Sequence, residues 1–453
     1  MRLKFRSALL GVAVVMGLVL ASSVVQPQTI RVLSLDSGPK ESLWMKEMVA
    51  EFEKENPGVK VEMEWMGWQE LTTRLMADVA GGTEPEAIQQ IQGGNVAYYQ
   101  KLGLFLPVTD IIDKLGRDDY MEGHLLEMEG EDYLVPVSNF ASGLWYRADL
   151  FADKGLVPPR TWEDLLEVAE ILTEDTDGDG TIDRWGYCMA LGDTRWTSQN
   201  LVLYYWTNGG KVFDKDFNIA FDKPPYRQLM IETFEFYKKL SKYTPPGSVD
   251  YAWWESINAF STGVVAMNPY FARQLSVVNE NNPELAPYTY VTFHPYPKDK
   301  KIRCSMADTS GWSIMKNSDN PELVKKLILF VFRRDRHIER LHIHPGMSNP
   351  CQYSIWQSEE FQDHPFVKRH LADIRILVNS REFGAYWPAE WTRETGRINW
   401  VADRLFNSPI MTDMVKGVIL FNKDVEKAID EAAKKARELV AKQRELLKGL
   451  GQE

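Results

Sequence analysis

Cysteine is scarce in this chain, basic residues never cluster, and past the N-terminus no long apolar run occurs. The three cysteines, Cys188, Cys304 and Cys351, cannot all pair, and none sits in a CxxC or Cys/His cluster. Neither a disulfide framework nor a zinc module therefore organises the fold. A Cys304–Cys351 bridge stays open beside the favoured reading of three buried thiols. With 52 Lys plus Arg against 64 Asp plus Glu the formal charge is −12, and no basic block could follow a phosphate backbone, which excludes nucleic acid as a partner. Internal repeats and Gly/Ser or Pro-rich tethers are missing too, so any two domains must be joined by short strand-like segments.

Catalytic signatures are also missing. None of the seven histidines falls in a Gly-x-Ser-x-Gly or His-Glu-x-x-His pattern. His342-Ile-His344 has the spacing of two imidazoles on one side of a strand but lacks a nearby third ligand. Gly93-Gly94 and Gly209-Gly210 are isolated pairs of the kind that mark turns, not phosphate loops. Paired acids such as Glu127 and Glu129 are common in an acidic protein, and spacing alone does not make them a glycosidase pair.

What is present begins with the leader. Arg2, Lys4 and Arg6 precede an apolar stretch from Ala8 to Ala21, followed by Ser22 and Ser23. A short apolar core with basic and small-residue flanks reads as a cleaved secretory signal over residues 1–23, and the stretch is shorter than the roughly 20 residues a bilayer requires. No cysteine follows until Cys188, so a lipid has no acceptor beside the cleavage site. Losing three cations takes −12 to −15. The expected product is an acidic, exported protein, periplasmic or otherwise outside the cytoplasm, and large enough at 453 residues for two or three domains.

Ile30–Leu35 reads as a short strand broken by Asp36-Ser37-Gly38-Pro39. Trp44, Met48 and Phe52 recur every four positions on a helix that the Asn56-Pro57-Gly58 turn ends. Val59, Val61, Met63 and Trp65 alternate with charged residues as a half-buried strand. A strand–helix–strand unit of this kind makes a right-handed parallel crossover, and ligands of such sheets bind at the carboxyl ends of strands, where Asp36–Pro39 lies. The alternation continues through a helix around Trp68–Ala80, an apolar segment at Ile88–Ile91 and a helix near Val96–Lys101, which is an α/β pattern. Near the end, Val425, Ile429, Ala432, Ala436, Leu439 and Leu446 stripe one side of a Lys/Glu-rich helix that should pack along a domain surface.

Two constellations carry chemistry. In Asp175-Thr176-Asp177-Gly178-Asp179-Gly180-Thr181-Ile182-Asp183, the oxygens of Asp175, Asp177, Asp179, Thr181 and Asp183 stand at the alternate positions by which one loop wraps Ca2+. Position 12 is Gly186 and not the bidentate Glu, so the expected ion is structural and its affinity modest. The second is aromatic: fifteen tryptophans, several beside Gly, Pro, Asn or Asp, including Trp44, Trp68, Trp196, Trp253, Trp254, Trp312, Trp387 and Trp391. An indole stacks on the C–H face of a sugar while neighbouring polar groups bind its hydroxyls. Loop position and polar neighbours single out Asp36, Trp68, Asn139, Trp254, Tyr270, Asp308 and Trp312.

At this point the sequence resembles the extracellular solute-binding proteins of sugar ABC transporters, the group that includes maltose-binding protein. The resemblance rests on ordered segments along nearly the whole mature chain. They are Phe52-x-x-x-Asn56-Pro57-Gly58-Val59-x-Val61; Leu102 to Asp110; Tyr133-x-Val135-Pro136 leading to Gly143-Leu144-Trp145-Tyr146-Arg147-x-Asp149; Gly155-Leu156-x-Pro158 to Leu165; Ala259-Phe260-x-x-Gly263-x-x-Ala266-Met267; and Gly311-Trp312-x-Ile314 before Asn320-Pro321-Glu322. Glu84-Pro85-Glu86 departs from the family, which more often has Pro followed by Asp there.

The resemblance implies an α/β, two-lobed periplasmic-binding-protein fold of type II, with a ligand held between the lobes. It places lobe 1 at 29–138 plus 293–332 and lobe 2 at 139–290 plus 333–453, with crossings near Ser138, Tyr290 and Phe332. It also implies a cleft wall of Asp36, Ser37, Gly38, Gln92 and Asn95, with Asp308, Gly311 and Trp312 returning to it, faced by Trp254, Tyr270, Trp387 and Trp391; Trp196 and Asn139 complete the expected site. The implied function is a non-enzymatic, monomeric receptor that carries a carbohydrate, by preference an oligosaccharide, to a membrane permease. The competing readings are a secreted glycosidase or lyase and a binder of a non-sugar solute such as a glycerophosphodiester, for which only Arg273 and Arg393 stand out as counter-ions.

Overall fold

The computed structural model describes residues 28–380, 384–385, 390, 395 and 397–451; the leader lies outside them. The chain opens with β1 (Gln28–Leu35), α1 (Pro39–Glu55), β2 (Val59–Met66), α2 (Trp68–Gly81), β3 (Ala87–Gln92) and α3 (Gly93–Lys101). Strand β1 pairs in parallel with β2 from Gln28↔Val59 to Leu35↔Met66, and in parallel with β3, so the expected crossover is present. Alternation sends the strand side chains to opposite faces. Ile30, Val32 and Val61 join Trp44, Met45, Met48 and Phe52 of α1 in one cluster, while Leu33, Ile88 and Ile91 join Leu71, Leu75 and Val96 in another. Gly58, at φ 91°, makes the turn out of α1 that a Cβ would resist.

Two long strands join the halves of the molecule. Strand β4 (Val135–Arg147) pairs through its first half, Val135–Ala141, with β7 (Ser305–Met315), and through its second half with β5 (Met267–Phe271) and β6 (Thr289–Thr292). Strand β7 in turn pairs with β3, giving the order β2-β1-β3-β7-β4-β5. The ladder between β7 and β4 shifts register between Ser310 and Gly311, and the ladder to β3 shifts between Gly311 and Trp312. A Cβ on Gly311 would stand 2.1 Å from the Val135 carbonyl oxygen, so only glycine allows the strands to approach there.

The second half is built around one large cluster that includes α4 (Arg195–Thr207), α5 (Trp253–Ser261), α6 (Arg273–Asn281) and α8 (Ala402–Phe406). Helix α7 (Arg334–Ile343) packs on α1: Arg340 donates from Nε and Nη2 to Glu41 Oε1 at 3.1 and 2.8 Å, both side chains being buried. The C-terminal helix α9 (Val425–Gly449) buries Ala428, Ile429, Ala432, Ala433, Ala436 and Val440 in the large cluster, yet its Leu447 joins the α3-side cluster of the first lobe. The apolar stripe expected from the sequence is thus buried along the molecule itself, and one helix touches both lobes. All three cysteines are buried thiols, none in a disulfide.

Candidate ligand-binding cleft

The first-lobe side of the cleft is made by the ends of three strands. Asp36 follows β1 and accepts from the Gly38 amide at 2.9 Å, a short turn that sets up the start of α1. Trp68 opens α2, and Gln92 ends β3. Between them Gln90, left-handed at φ 63°, donates to Ser37 Oγ at 3.3 Å and to Glu41. That backbone conformation is unusual for a residue with a Cβ, and here a network of buried partners holds it.

The second-lobe wall is aromatic. Trp253 stacks on Trp196 at 4.3 Å and on Phe271 at 6.0 Å, and Phe271 meets Phe140 of β4 edge-on at 5.5 Å. Trp254 is 51% exposed, with the Arg273 guanidinium 4.6 Å from its ring centre. Asp308 of β7 is half-buried and stands opposite Phe140 in the strand register. Apolar ring faces and hydrogen-bonding ends of these kinds are what a sugar site combines.

Several expected ligand contacts need correcting. Trp312 is 1% exposed in the α1-side core, and Trp196, also 1% exposed, lies behind Trp253. Asn139 is fully buried and donates to the Pro350 carbonyl at 2.6 Å, which ties that loop to the crossing strand. Tyr270, 4% exposed, donates its hydroxyl to the Trp253 carbonyl at 2.9 Å and accepts from Trp145 Nε1 on its own carbonyl at 3.0 Å. Gly311 serves strand packing. For Asn139 and Tyr270 the reason is parity: neighbours in a strand face opposite ways, and it is Phe140 and Phe271 that keep a partly open face. Asn95 is buried and donates to Asp403 at 2.8 Å. Trp387, Trp391 and Arg393 lie outside the described residues.

Charged groups that bridge the lobes were not foreseen. Arg195 of α4 donates to Gln92 Oε1 at 3.1 Å and to Asn407 Oδ1 at 3.1 Å, and its guanidinium lies 5.3 Å from the Trp68 ring centre. Burial raises the Asp403 carboxyl above its ordinary value, against the opposing pull of Arg195 and Arg404. Nothing local in the sequence marks the bridge, because Arg195 lies 103 positions from Gln92 and 212 from Asn407. Two histidines at the crossing strands are held neutral by burial: His294, bonded to Ser142 Oγ at 2.9 Å, falls to about 3, and His337, bonded to the Val137 carbonyl at 2.8 Å, falls to about 4.

Away from the cleft, carboxylate oxygens of Asp175, Asp177 and Asp183 lie within 4.8 Å of one another. Asp179 instead accepts from the Thr181 amide at 2.7 Å. Asp175 is lowered by the Gly180 and Gly178 amides, and Asp183 by Thr176. Three converging carboxylates suit a hard dication.

With this geometry in place, residues 37–335 match the model of the bacterial extracellular solute-binding proteins. The chain belongs to that family. Among the relatives of this solute-binding protein is YcjN of Escherichia coli (strain K12), named as an ABC transporter periplasmic-binding protein, 25% identical over 87% of this chain and 89% of that one. Its fold matches a solute-binding protein of Agrobacterium radiobacter K84 in complex with ribitol, with a TM-score of 0.75 at 20% identity, over 92% of this chain and 99% of the other. It also matches maltose-bound MalE3 of T. maritima, with a TM-score of 0.71 at 20% identity, over 91% and 99%. The expected two-lobed α/β fold is thereby established. No helix among the described residues is long and apolar enough to cross a membrane.

Proposed function

We propose that this solute-binding protein captures a carbohydrate or polyol between its lobes and delivers it, unaltered, to the permease of an ABC importer. The observation that carries this reading is the half-open aromatic wall of Trp253, Phe271 and Phe140 set against the polar ends Asp36, Ser37, Gln92 and Asp308. The matched proteins bound to ribitol and to maltose support it. A ligand that touches both walls binds the closed form better than the open one, and so shifts the population toward the form a permease engages.

Binding without chemistry is supported by membership of a family of solute-binding proteins. The lobes are taken to divide near Ser138 and Tyr290, as the family resemblance implies, while the packing of α7 on α1 favours a third crossing after Ile343 instead of near Phe332. Residues 1–23 act as the export signal, and the mature protein works as a periplasmic monomer with no nucleic-acid partner. Asp175, Asp177 and Asp183 would hold a Ca2+ that braces their loop, with Asp179 and Thr181 completing the shell only after they rearrange.

A thermal-shift screen over polyols and mono- and oligosaccharides tests the central reading: a ligand at 100 times its Kd stabilises by about 2.7 kcal/mol. No shift with any of them, or the appearance of new reducing ends or unsaturated products, overturns it. Addition of EDTA should lower the melting temperature if the loop holds Ca2+, and an unchanged melt removes the ion.

A further inference from the structure

We infer that Arg195 forms the end wall of the cleft and limits the ligand to a single sugar ring or a polyol of similar length. This rests on the carbohydrate reading above and narrows it.

Arg195 is the first residue of α4, whose Leu201, Val202 and Leu203 are locked in the second-lobe core. Its guanidinium is held from its own lobe by Asn407 Oδ1 at 3.1 Å and lies 3.8 Å from Asp403. From there it reaches the first lobe, donating to Gln92 Oε1 at 3.1 Å and lying over the Trp68 ring at 5.3 Å. A planar cation on an indole with its edge on an amide oxygen satisfies both groups at once. Those two groups, an apolar face and a hydrogen-bonding end, are what a sugar ring would use. Arg195 therefore occupies the place of a second ring, and a longer saccharide would have to displace it from four partners.

The lobes also meet beside it. Asn95 donates to Asp403 at 2.8 Å, and Arg404 lies 4.8 Å from the Tyr98 ring centre. In the second-lobe wall, Phe271 meets Phe140 edge-on at 5.5 Å and stacks on Trp253 at 6.0 Å.

The test is calorimetric titration of the full mature protein with ribitol, mannitol and two ladders, glucose–maltose–maltotriose and glucose–cellobiose–cellotriose. Wild type should bind a polyol or monosaccharide at least tenfold more tightly than any trisaccharide. Arg195→Ala should raise trisaccharide affinity at least tenfold, and adding Trp68→Ala should abolish the gain; Arg195→Gln serves if alanine disturbs the circular dichroism spectrum. Tighter binding of a trisaccharide than of its monomer by wild type, or no gain in either Arg195 variant, overturns the inference while leaving carbohydrate binding intact. No heat with any probe, and none in the wider screen, removes the carbohydrate reading itself.

Discussion

On the α3 side of the cleft the lobes meet through buried groups: Asn95 with Asp403 at 2.8 Å, the Tyr98 hydroxyl donating to Gln443 at 2.9 Å, and Leu447 of α9 inside a first-lobe cluster. On the α1 side the contacts are Lys40 with Glu280 at 4.0 Å, side chains 74% and 67% exposed, and Ser276 donating to the Pro345 carbonyl at 3.1 Å. A hydrogen bond to a charged group shielded from water contributes about 1.5–3 kcal/mol, whereas an exposed ion pair contributes about 0–1 kcal/mol. The two rims of one cleft thus differ in strength.

Substituting Asp403 by Ala is the most forceful way to break this contrast, because it strips the acceptor from Asn95 and a counter-charge from Arg195 in a buried place. The expected loss is about 3 kcal/mol in urea unfolding, with a larger radius of gyration in scattering; an unchanged scattering curve would show that the α3 side does not hold the lobes together. Acid probes the strands behind both rims. His294 and His337 stay neutral in the fold down to about 3 and about 4 but take up a proton near 6.5 when unfolded. The unfolded chain then binds more protons, so stability contributed by each is full above 6.5 and is lost as pH falls toward those values. Each contributes a slope of up to about 1.4 kcal/mol per pH unit in that window. His294→Asn should flatten the acid limb of a stability–pH curve.

A finer cut is Tyr98→Phe, which removes the bond to Gln443 alone and should lower stability by about 1 kcal/mol, read from the urea midpoint. Lys40→Ala, on the exposed rim, should change stability by less than about 0.5 kcal/mol and leave scattering unaltered. A larger effect from Lys40→Ala than from Tyr98→Phe would reverse the ranking of the rims.

Much of the first lobe was legible in the sequence because its signals are local: the four-residue recurrence of Trp44, Met48 and Phe52, the Asn56-Pro57-Gly58 turn, and the alternation from Val59 to Trp65 reappear as α1 and β2. Family resemblance supplied the two lobes, which no local pattern specifies. The site was legible only in part. Asp36, Trp68 and Gln92 stand at the ends of first-lobe strands and Trp254 is exposed, whereas Asn139 and Tyr270 are buried one residue away from Phe140 and Phe271, the side chains that turn outward. Trp312 was misplaced for a related reason: it has the same parity as Asp308, yet register shifts on both sides of Gly311 separate the two. Glu41 with Arg340 and Asn95 with Asp403 are pairs 299 and 308 positions apart, beyond the reach of any spacing rule.

The pairing of β4 with β7 across the seam has a mechanical consequence. Two strands bonded to each other along Ala141↔Ala307 to Val135↔Trp312 form a ribbon and not a slack tether, so parting the lobes flexes that ribbon, most easily where its ladder is offset at Ser310 and Gly311. A flexed ribbon springs back. The seam that joins the lobes therefore also resists how far they can swing apart.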